Sequence, residues 1–373
     1  MRSTIAEIHL RNLHSNLKNI RKKIGKHPLI MAVVKANAYG HGAIGVTKSI
    51  IENKTAQYFG VAIVEEGIEL RKNFREIPIH VFTAPNPDQF SLYVEYNLEP
   101  TICTIESARK LNSAAKSAGK IVPVHIKVDT GMGRIGIAAD EAISFVQSVK
   151  KFSHIDIKGI FTHFATSDEK DLTFANEQLS KFRAIVTQLE LLGIHIPLVH
   201  CANSGAILQM PDSYFDMVRA GIMMYGYTPS LETKKTVHIQ PVMSLKAKVG
   251  FIKIVEKNTS ISYSRRYFTR AKTKIVSVAI GYADGFSRKL TNNAFALIHG
   301  KKYPIVGTVC MDQIMIDVGL NANIKIGDEV VLMGKSGKQN IDGWDLSKAL
   351  STIPYEICCA ISARVPRKYK YGK

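Results

Sequence analysis

The sequence has few cysteines, and their spacing suits neither a cross-linked fold nor a zinc-bound one. There are 5 cysteines among 373 residues, of which Cys358 and Cys359 are adjacent, and no Cys-x-x-Cys occurs. An odd count without paired spacing argues against a disulfide framework and against a structural zinc site. The sequence therefore predicts a reduced, cytoplasmic protein without a bound metal.

Long apolar runs are also missing. No run approaches the ~18 residues of a membrane helix. The first residues, Met-Arg-Ser-Thr-Ile-Ala-Glu-Ile, lack the apolar core of a signal peptide. Neither a membrane segment nor an export signal is expected.

Acidic residues are scarce relative to basic ones. The chain has 50 Lys and Arg against 31 Asp and Glu, a formal net charge of +19. Such an excess can indicate binding to nucleic acid or to a membrane surface. The basic residues are spread over the whole chain, however, and no helix-turn-helix or RNA-binding motif accompanies the denser runs at 21–23 and 367–373. A basic solvated surface is therefore favoured, with no nucleic-acid or membrane partner.

The first two thirds of the chain alternate between short apolar segments and amphipathic stretches. The segments are rich in Val, Ile and Phe with little polar alternation, as expected for parallel strands buried on both faces. The candidate strands are Ile30–Val34, Tyr58–Val64, Pro78–Thr83, Glu99–Cys103, Val122–Val128, Ile157–His163, Pro197–Cys201 and Met217–Tyr225. Eight strand–helix units in roughly 225 residues favour a TIM (β/α)8 barrel over an open doubly wound sheet. No Gly-x-Gly-x-x-Gly follows the first strand, which argues against dinucleotide binding.

The pattern changes near residues 231–238. Short strands separated by turns follow, with one short helix at Trp344–Leu350. The predicted strands are Leu245–Val255, Lys274–Ile280, Tyr303–Val309, Ile314–Val318 and Glu329–Leu332. We predict an α/β protein with an N-terminal TIM barrel over residues 1–237 and a C-terminal β-rich domain over residues 238–373.

One lysine stands directly after a buried strand. Lys35 ends the apolar Met31-Ala-Val-Val, and in a barrel the carboxyl ends of the strands face the active site. Partial desolvation there lowers an amine pKa from its usual value of ~10.4. A neutral amine can form a Schiff base with an aldehyde cofactor. From position alone, a lysine that extends to the surface is equally compatible.

Several longer motifs decide between these interpretations. Met31-Ala-Val-Val-Lys-Ala-Asn-Ala-Tyr-Gly-His-Gly42 resembles the cofactor-binding signature of the alanine racemases. Further matches are His125-Ile-Lys-Val-Asp-Thr-Gly-Met-Gly-Arg134, Thr162-His-Phe-Ala-Thr166, His200-Cys-Ala-Asn-Ser204, Val218-Arg-Ala-Gly-Ile222, Ile261-Ser-Tyr263, Gly281-Tyr-Ala-Asp-Gly285, Val309-Cys-Met-Asp312, Ile353-Pro-Tyr355 and Arg364-Val-Pro-Arg367. The resemblance covers nearly the full length and both predicted domains.

The resemblance implies pyridoxal 5'-phosphate as the cofactor, with Lys35 as its covalent anchor. It assigns the phosphate to Ser204, to the backbone of Gly221 and Ile222, and to Tyr39 and Tyr355. Asn203 and His163 are implied as further cofactor contacts, and Arg219 is implied to face the pyridine nitrogen. Taken singly, Ser204 is compatible with a helix N-cap and His163 with a structural role. Arg219 alone would be a surface ion-pair partner, and Tyr355 alone an interface aromatic.

The implied reaction is interconversion of L-alanine and D-alanine, which supplies D-alanine for peptidoglycan. Lys35 would be one catalytic base, and Tyr263 of a second subunit would be the other, which implies a homodimer with composite sites. Arg134 and Met311 are the implied substrate contacts. Lys127 matches a lysine that some family members carbamylate, and an uncarbamylated lysine beside a bound anion is the alternative.

Three other functions share part of this pattern. A basic amino-acid decarboxylase of similar fold pairs the pyridine nitrogen with a carboxylate, so Arg219 argues against it, although Cys310 matches its use of a C-terminal cysteine. A broader-specificity amino-acid racemase is the other alternative within this cofactor class. A non-catalytic pyridoxal-phosphate carrier would resemble the barrel alone.

Overall fold

The computed structural model describes residues 3–371. The chain folds into two compact units. The barrel unit contains residues 14–38 and 43–239, and the β unit contains residues up to 13, residues 39–42 and residues from 240 onward. The predicted single boundary between residues 237 and 238 stays a prediction.

The secondary structure alternates strands and helices up to residue 220 and is mostly strand beyond it. In chain order the strands are β1 (Ile5–His9), β2 (Leu29–Val33), β3 (Tyr58–Val61), β4 (Ile79–Val81), β5 (Glu99–Ile102), β6 (Val122–Asp129), β7 (Ile137–Ala138), β8 (Ile155–Phe161), β9 (Leu198–His200), β10 (Met217–Ala220), β11 (Met243–Val255), β12 (Ser260–Ile261), β13 (Tyr267–Phe268), β14 (Thr273–Val278), β15 (Phe295–Ile298), β16 (Lys301–Pro304), β17 (Ile314–Asp317), β18 (Glu329–Ser336), β19 (Gln339–Ile341) and β20 (Arg367–Lys370). The right-handed α-helices are Leu10–Ile24, Ala43–Glu52, Val64–Asn73, Phe90–Glu95, Ile105–Ser117, Ala142–Val149, Thr173–Leu191, Ser204–Gln209, Gly343–Leu350 and Pro354–Ala360. Short 3-10 helices cover Pro211–Ser213, Ile222–Tyr225, Tyr263–Arg265, Tyr282–Asp284 and Arg288–Leu290.

The barrel unit is a nearly closed ring of eight parallel strands. They are ordered β10-β2-β3-β4-β5-β6-β8-β9, with β7 as a short addition to β6. The N–H groups of Asp216 and Arg219 donate to the carbonyls of Val199 (3.1 Å) and Ala202 (2.9 Å) and so join β10 to β9. The predicted TIM-like barrel is confirmed, because each predicted strand coincides with one of the eight.

The helices of the barrel unit bury the apolar faces that their sequence spacing predicts. In Thr173–Leu191, the residues Leu179, Phe182, Ile185, Val186 and Leu189 are buried. The spacing of three to four residues places them on one side of the helix. The same apolar spacing, read from the sequence, predicts a helix over residues 176–193, and the structure has it at Thr173–Leu191.

Two predicted strands of the barrel extend too far. Met217–Tyr225 ends at Ala220, and Ile222–Tyr225 is a buried 3-10 helix. Tyr58–Val64 ends at Val61, and Val64 begins a helix. Both errors have one cause: a short apolar run is compatible with a strand or with a buried helical turn.

The β unit contains a nine-stranded mixed sheet. Its main order is β16-β15-β18-β11-β1-β20, with β14 on β11, β17 on β14 and β19 on β18. β1 pairs antiparallel with β11 and parallel with β20. The predicted β-rich domain is confirmed, although the sequence pattern does not predict β1 and β20 as strands. Among residues 3–371, no helix combines the length and apolar character needed to cross a bilayer.

Candidate active site

Lys35 follows the carboxyl end of β2, at the point where the backbone enters a left-handed turn. Its side chain is half-buried. Residues 36–39 have φ values between 50° and 54°, and the N–H of Ala38 donates to the carbonyl of Val34 at 2.8 Å. For each residue with a Cβ, this conformation costs about 1–2 kcal/mol of conformational energy relative to the right-handed one. Backbone strain of this kind concentrates at functional sites.

Two side chains of the barrel unit hold the strained turn. Glu66 accepts hydrogen bonds from the N–H of Ala36 at 2.6 Å through Oε1 and from the N–H of Ala62 at 2.7 Å through Oε2. Asn37 Oδ1 accepts from the N–H of Ala43 at 2.8 Å, at the start of the next helix. These bonds offset part of the strain and fix the backbone that carries Lys35.

Arg219 on β10 is held by a ring of acceptors. Its Nη1 donates to the Nδ1 atom of His200 at 2.9 Å and to the carbonyl of the same residue at 3.0 Å. Its Nη2 donates to the carbonyls of Thr162 (2.9 Å) and Cys201 (2.8 Å), and it lies 3.1 Å from Nδ1 of His163. None of the hydrogen bonds found within residues 3–371 uses its Nε–H, so this donor remains for a ligand. Burial lowers the pKa of Arg219 to about 10, which still leaves it protonated at neutral pH.

His163 lies beside Arg219 and is neutral. Because Arg219 can only donate, Nδ1 of His163 is the acceptor of their hydrogen bond. The pKa of His163 is held well below its usual value, first by burial and then by four positive charges, those of Arg219, Lys127, Arg134 and Lys35. These predicted site residues are therefore gathered around one imidazole.

The N-termini of two short helices meet near Ser204. The Ser204 hydroxyl accepts from the N–H of Gly221 at 3.2 Å and of Met223 at 3.4 Å. Asn203, rather than Ser204, caps the helix, and its side chain accepts from the third helical N–H at 3.0 Å. Helix N-termini offer backbone N–H groups and a favourable dipole to anions. Asn203, Ser204, Gly221 and the following Ile222 are therefore brought together in a setting that suits a phosphate.

Lys127 on β6 is a buried lysine that forms no ion pair with a carboxylate among residues 3–371. It is 2% exposed, its Nζ donates to the carbonyl of Val128 at 2.7 Å, and it lies 5.4 Å from the centre of the Phe161 ring. Burial, and after it the charge of Arg219, lowers the pKa of Lys127 to about 7. A large fraction of this amine is therefore neutral at neutral pH. Arg134 is exposed in the loop that follows β6.

Within the β unit, Tyr39 packs on Tyr355. Their ring centroids are 5.7 Å apart. The next residue, Gly40, has φ 79°, and a Cβ there would lie 2.0 Å from the carbonyl oxygen of Cys358. Arg367 donates to the carbonyl of Gly40 at 2.9 Å. The segment that carries Tyr39 is therefore fitted closely against the elements that carry Tyr355.

The β unit also brings Tyr263 and Met311 onto connected loops. Thr308 donates through its hydroxyl to the carbonyl of Tyr263 at 2.8 Å and accepts from the hydroxyl of Ser262 at 2.6 Å through its own carbonyl. The carbonyl of Met311 accepts from the N–H of Ala283 at 3.1 Å. The side chains of Tyr263 and Met311 are 69% and 50% exposed.

The backbone that follows Tyr263 is strained. Ser264 has φ 61° and Arg265 has φ 48°. The Arg265 guanidinium lies 5.2 Å from the centre of the Phe268 ring. The loop therefore adopts a conformation that favours glycine, although neither of these positions is a glycine.

Sequence reasoning missed the residues that support the site. Glu66 and His200 contact the Lys35 turn and Arg219, but the sequence motifs assign a role to neither. A signal existed for Glu66, which is the third residue of a helix that begins just after β3. Among the residues that the structure describes, no group of His, Cys, Asp or Glu side chains could hold a metal ion.

Comparison with known proteins gives matches to both units. Residues 8–229 match the family model "Alanine racemase, N-terminal domain", and residues 242–369 match "Alanine racemase, C-terminal domain". An alanine racemase from Halothermothrix orenii is 45% identical over 99% of this chain and 97% of its own length. One from Methanococcus maripaludis is 42% identical over 98% of both.

Solved structures show the same similarity. An alanine racemase from Clostridium difficile 630 has a TM-score of 0.94 and 40% identity, covering 99% of this chain and 96% of its own. One from Bacillus anthracis, with bound L-Ala-P, has a TM-score of 0.93 and 36% identity over 100% of this chain and 96% of its own. A histidine racemase from Leuconostoc mesenteroides has a TM-score of 0.91 and 28% identity, covering 99% and 98%.

Proposed function

The chain belongs to the alanine racemase family, and from this we propose that it interconverts L-alanine and D-alanine with pyridoxal 5'-phosphate bound at Lys35. The observation that carries the proposal is Arg219, whose guanidinium is held by five hydrogen bonds while its Nε–H is left for a ligand. When bound, pyridoxal phosphate supplies an electron sink that acidifies the Cα–H bond of an attached amino acid.

The residues present fit this cofactor at both of its ends. Ser204, Gly221 and Ile222, capped by Asn203, would bind the phosphate at two helix N-termini. Tyr39 and Tyr355 would add hydroxyl groups to the same phosphate. His163 would contact the ring as a neutral imidazole, because its pKa lies well below the usual value.

Arg219 would limit the reaction to racemisation. A guanidinium only donates, so a ring nitrogen facing it stays unprotonated. A ring held by Arg219 would be a weaker electron sink than one paired with a carboxylate. We infer that Arg219 would thereby disfavour proton return at any atom other than the substrate Cα, and so disfavour transamination. The same residue argues against an amino-acid decarboxylase.

Two bases on opposite faces of the substrate would exchange its proton. Lys35 would remove or return the proton on one face, and Tyr263 of a second subunit would act on the other. The exposure of the Tyr263 side chain within a single chain fits this role. The proposed assembly is a homodimer in which each subunit contributes to both sites.

Three residues would determine substrate binding. Arg134 would donate to the substrate carboxylate, and Met311 would line its side-chain pocket. Lys127 would orient Arg134, either as a carbamate or beside a bound anion. Tyr355 and Tyr263 would crowd the substrate side chain, which favours alanine, and the product D-alanine would serve cytoplasmic supply of peptidoglycan precursors.

Racemisation rates for a panel of amino acids test the function. Purified protein with added pyridoxal phosphate is assayed for loss of optical rotation with L-alanine, L-serine, L-lysine and L-histidine. The last is included because a histidine racemase is among the structural neighbours. Alanine should be turned over fastest and serine slowly, and the Lys35→Ala variant should be inactive.

A different ranking would change the conclusion. Faster turnover of lysine or histidine would identify a racemase of other or broader specificity. Release of CO2 from any substrate, without loss of rotation for alanine, would identify a decarboxylase.

A further inference from the structure

Two imidazoles, those of His125 and His200, connect the side chain of Glu99 on β5 to that of Arg219 on β10. Glu99 Oε2 lies 2.9 Å from Nε2 of His125, and Nδ1 of His125 lies 2.9 Å from Nε2 of His200. Nδ1 of His200 lies 2.9 Å from Nη1 of Arg219. All four residues are buried. Unbroken hydrogen bonds therefore run from a carboxylate to a guanidinium, and we call these four residues the relay.

The packing of the barrel fits the two imidazoles of the relay. Gly159 on β8 is the register partner of His125, and a Cβ there would lie 2.2 Å from Nδ1 of His125. The ring of Phe161 stacks on His200 with centroids 4.9 Å apart and planes within 5°. Both rings are therefore fixed in orientation as well as in contact.

The arginine end of the relay determines where its protons lie. Because a guanidinium only donates, Nδ1 of His200 must accept, and the proton of this imidazole sits on Nε2. That N–H donates to Nδ1 of His125, whose own proton must then lie on Nε2 and face Glu99. A doubly protonated His125 would set two N–H groups against each other at His200. His125 is therefore neutral although it contacts a carboxylate.

The groups around the relay agree with this assignment. Burial, and after it the charge of Arg219, holds the pKa of His200 well below its usual value. At the other end, the Tyr58 hydroxyl donates to the Glu99 carboxylate, and Nδ1 of His80 lies 3.1 Å from the Glu99 carbonyl. Glu99 thus receives hydrogen bonds from two sides.

We propose that Glu99 is a positioning residue for Arg219, acting through His125 and His200 in a relay of fixed polarity. Reversal of the polarity would place an Nδ1–H of His200 against the Nη1–H of Arg219 and displace the guanidinium. The proposal rests on the proposed function only in that a cofactor meets Arg219; the polarity itself is a property of the protein alone.

The polarity can be measured directly by NMR of protein labelled with ¹⁵N in its histidine side chains, before and after removal of the cofactor. Single His125→Asn and His200→Asn variants assign the two signals. We expect both imidazoles as neutral Nε2–H tautomers at neutral pH, as the hydrogen bonds to Arg219 and Glu99 require. A doubly protonated ring at neutral pH, or an Nδ1–H tautomer in either residue, would overturn the proposal.

Variants of Glu99 test its effect on the cofactor site. Glu99→Gln keeps an oxygen that can accept from His125, so pyridoxal phosphate affinity should stay within about threefold of wild type. Glu99→Met has no acceptor, and a buried N–H left unpaired should weaken cofactor affinity by about tenfold or more. Tyr58→Phe is the matched control, because it removes another hydrogen bond from the same carboxylate and leaves the relay intact. Its affinity should equal that of wild type.

The outcomes separate this proposal from the proposed function. Wild-type affinity in Glu99→Met, or equal losses in Glu99→Met and Tyr58→Phe, would contradict the relay. If Glu99→Met does not fold, the histidine tautomers of the wild type and of Glu99→Gln still test the relay. Reversed polarity in either protein would contradict the proposal. A protein with the expected tautomers that fails to racemise alanine would refute the function and leave the relay standing.

Discussion

Lys127 combines burial with a depressed pKa in a way that makes it reactive. Since its pKa is about 7, a neutral amine is available to add CO2 at neutral pH. The resulting carbamate would convert a buried positive charge beside Arg219 and Arg134 into a negative one. This exchange of sign is favourable because both neighbours are cations.

We predict that Lys127 takes up CO2 as a carbamate. With ¹³C-labelled bicarbonate, a carbamate carbonyl resonance should appear, and at fixed dissolved CO2 its intensity should rise as the pH passes through about 7. Lys127→Met should abolish the signal, whereas Lys181→Met, at an exposed lysine, should leave it unchanged. A signal that survives in Lys127→Met would refute the assignment.

Arg219 gives a second prediction for a single side chain. Arg219→Glu would let a facing ring nitrogen take a proton and so strengthen the electron sink. Racemisation should fall by roughly a hundredfold or more, because the substitution removes all five hydrogen bonds of the guanidinium. Loss of the cofactor to its amine form, followed by absorbance during turnover, should become faster. Unchanged side-reaction rates would contradict the proposed role of the guanidinium.

Among the elements, the left-handed turn after Lys35 is the most strained. Its residues are alanine, asparagine and tyrosine rather than glycine, although all have positive φ. The exposed Ala36 has φ 50° and ψ 51°. Glycine would remove the Cβ conflict there, and its greater freedom in the unfolded chain would offset part of the gain.

We predict that Ala36→Gly stabilises the protein by about 0.5–1 kcal/mol. Thermal unfolding of the two proteins measures the difference. Ala184→Gly in the helix Thr173–Leu191 is the control, because the same substitution at an exposed helical position should destabilise by about 1 kcal/mol. Destabilisation by both substitutions would show that the turn carries no strain.

The elements of the barrel were more predictable than its turns. Strands such as β2 and β3 are buried on both faces and read as near-continuous apolar runs. The left-handed turn was not foreseeable, because alanine disfavours that conformation and only contacts such as those of Glu66 stabilise it. β20, with the sequence Arg-Lys-Tyr-Lys, lacks an apolar pattern and forms because β1 supplies hydrogen bonds.

The residues of the candidate site also divide into those that the sequence predicts and those that it does not. Motif resemblance indicated the residues that would touch the cofactor, such as Arg219 and Ser204. It gave no indication that Glu99 and His125 continue the hydrogen bonds of Arg219. The strands that carry them, β5 and β6, lie far from β10 in the sequence. Their one signal was polarity: a carboxylate and an imidazole within otherwise apolar strands require buried partners.

At the scale of the assembled molecule, two inactive variants should complement each other. In a mixed dimer of Lys35→Ala and Tyr263→Phe chains, one site would carry both changes and the other neither. Random co-assembly should restore roughly one quarter of wild-type activity, since half of the dimers are mixed and half of their sites are intact. Differently tagged chains, purified through both tags, isolate the mixed dimer.

The control for complementation pairs two changes on the same side of the proposed site. Lys35→Ala mixed with Arg219→Glu should show no recovery above the Arg219→Glu chain alone, because every mixed site keeps one lesion. If the mixture of Lys35→Ala and Tyr263→Phe chains also shows no recovery, then Lys35 and Tyr263 act within one chain, or Tyr263 is not the second base.

The position of β1 between β11 and β20 sets an order of events during synthesis. β1 leaves the ribosome long before its two partners, whose paired residues begin at Met243 and Arg367. Each edge of β1 stays unpaired until its partner strand has been synthesised, because non-local pairing waits for the later segment. The β unit is therefore completed only after the strands of the barrel have emerged, and a chain that stops before residue 367 leaves one edge of β1 open.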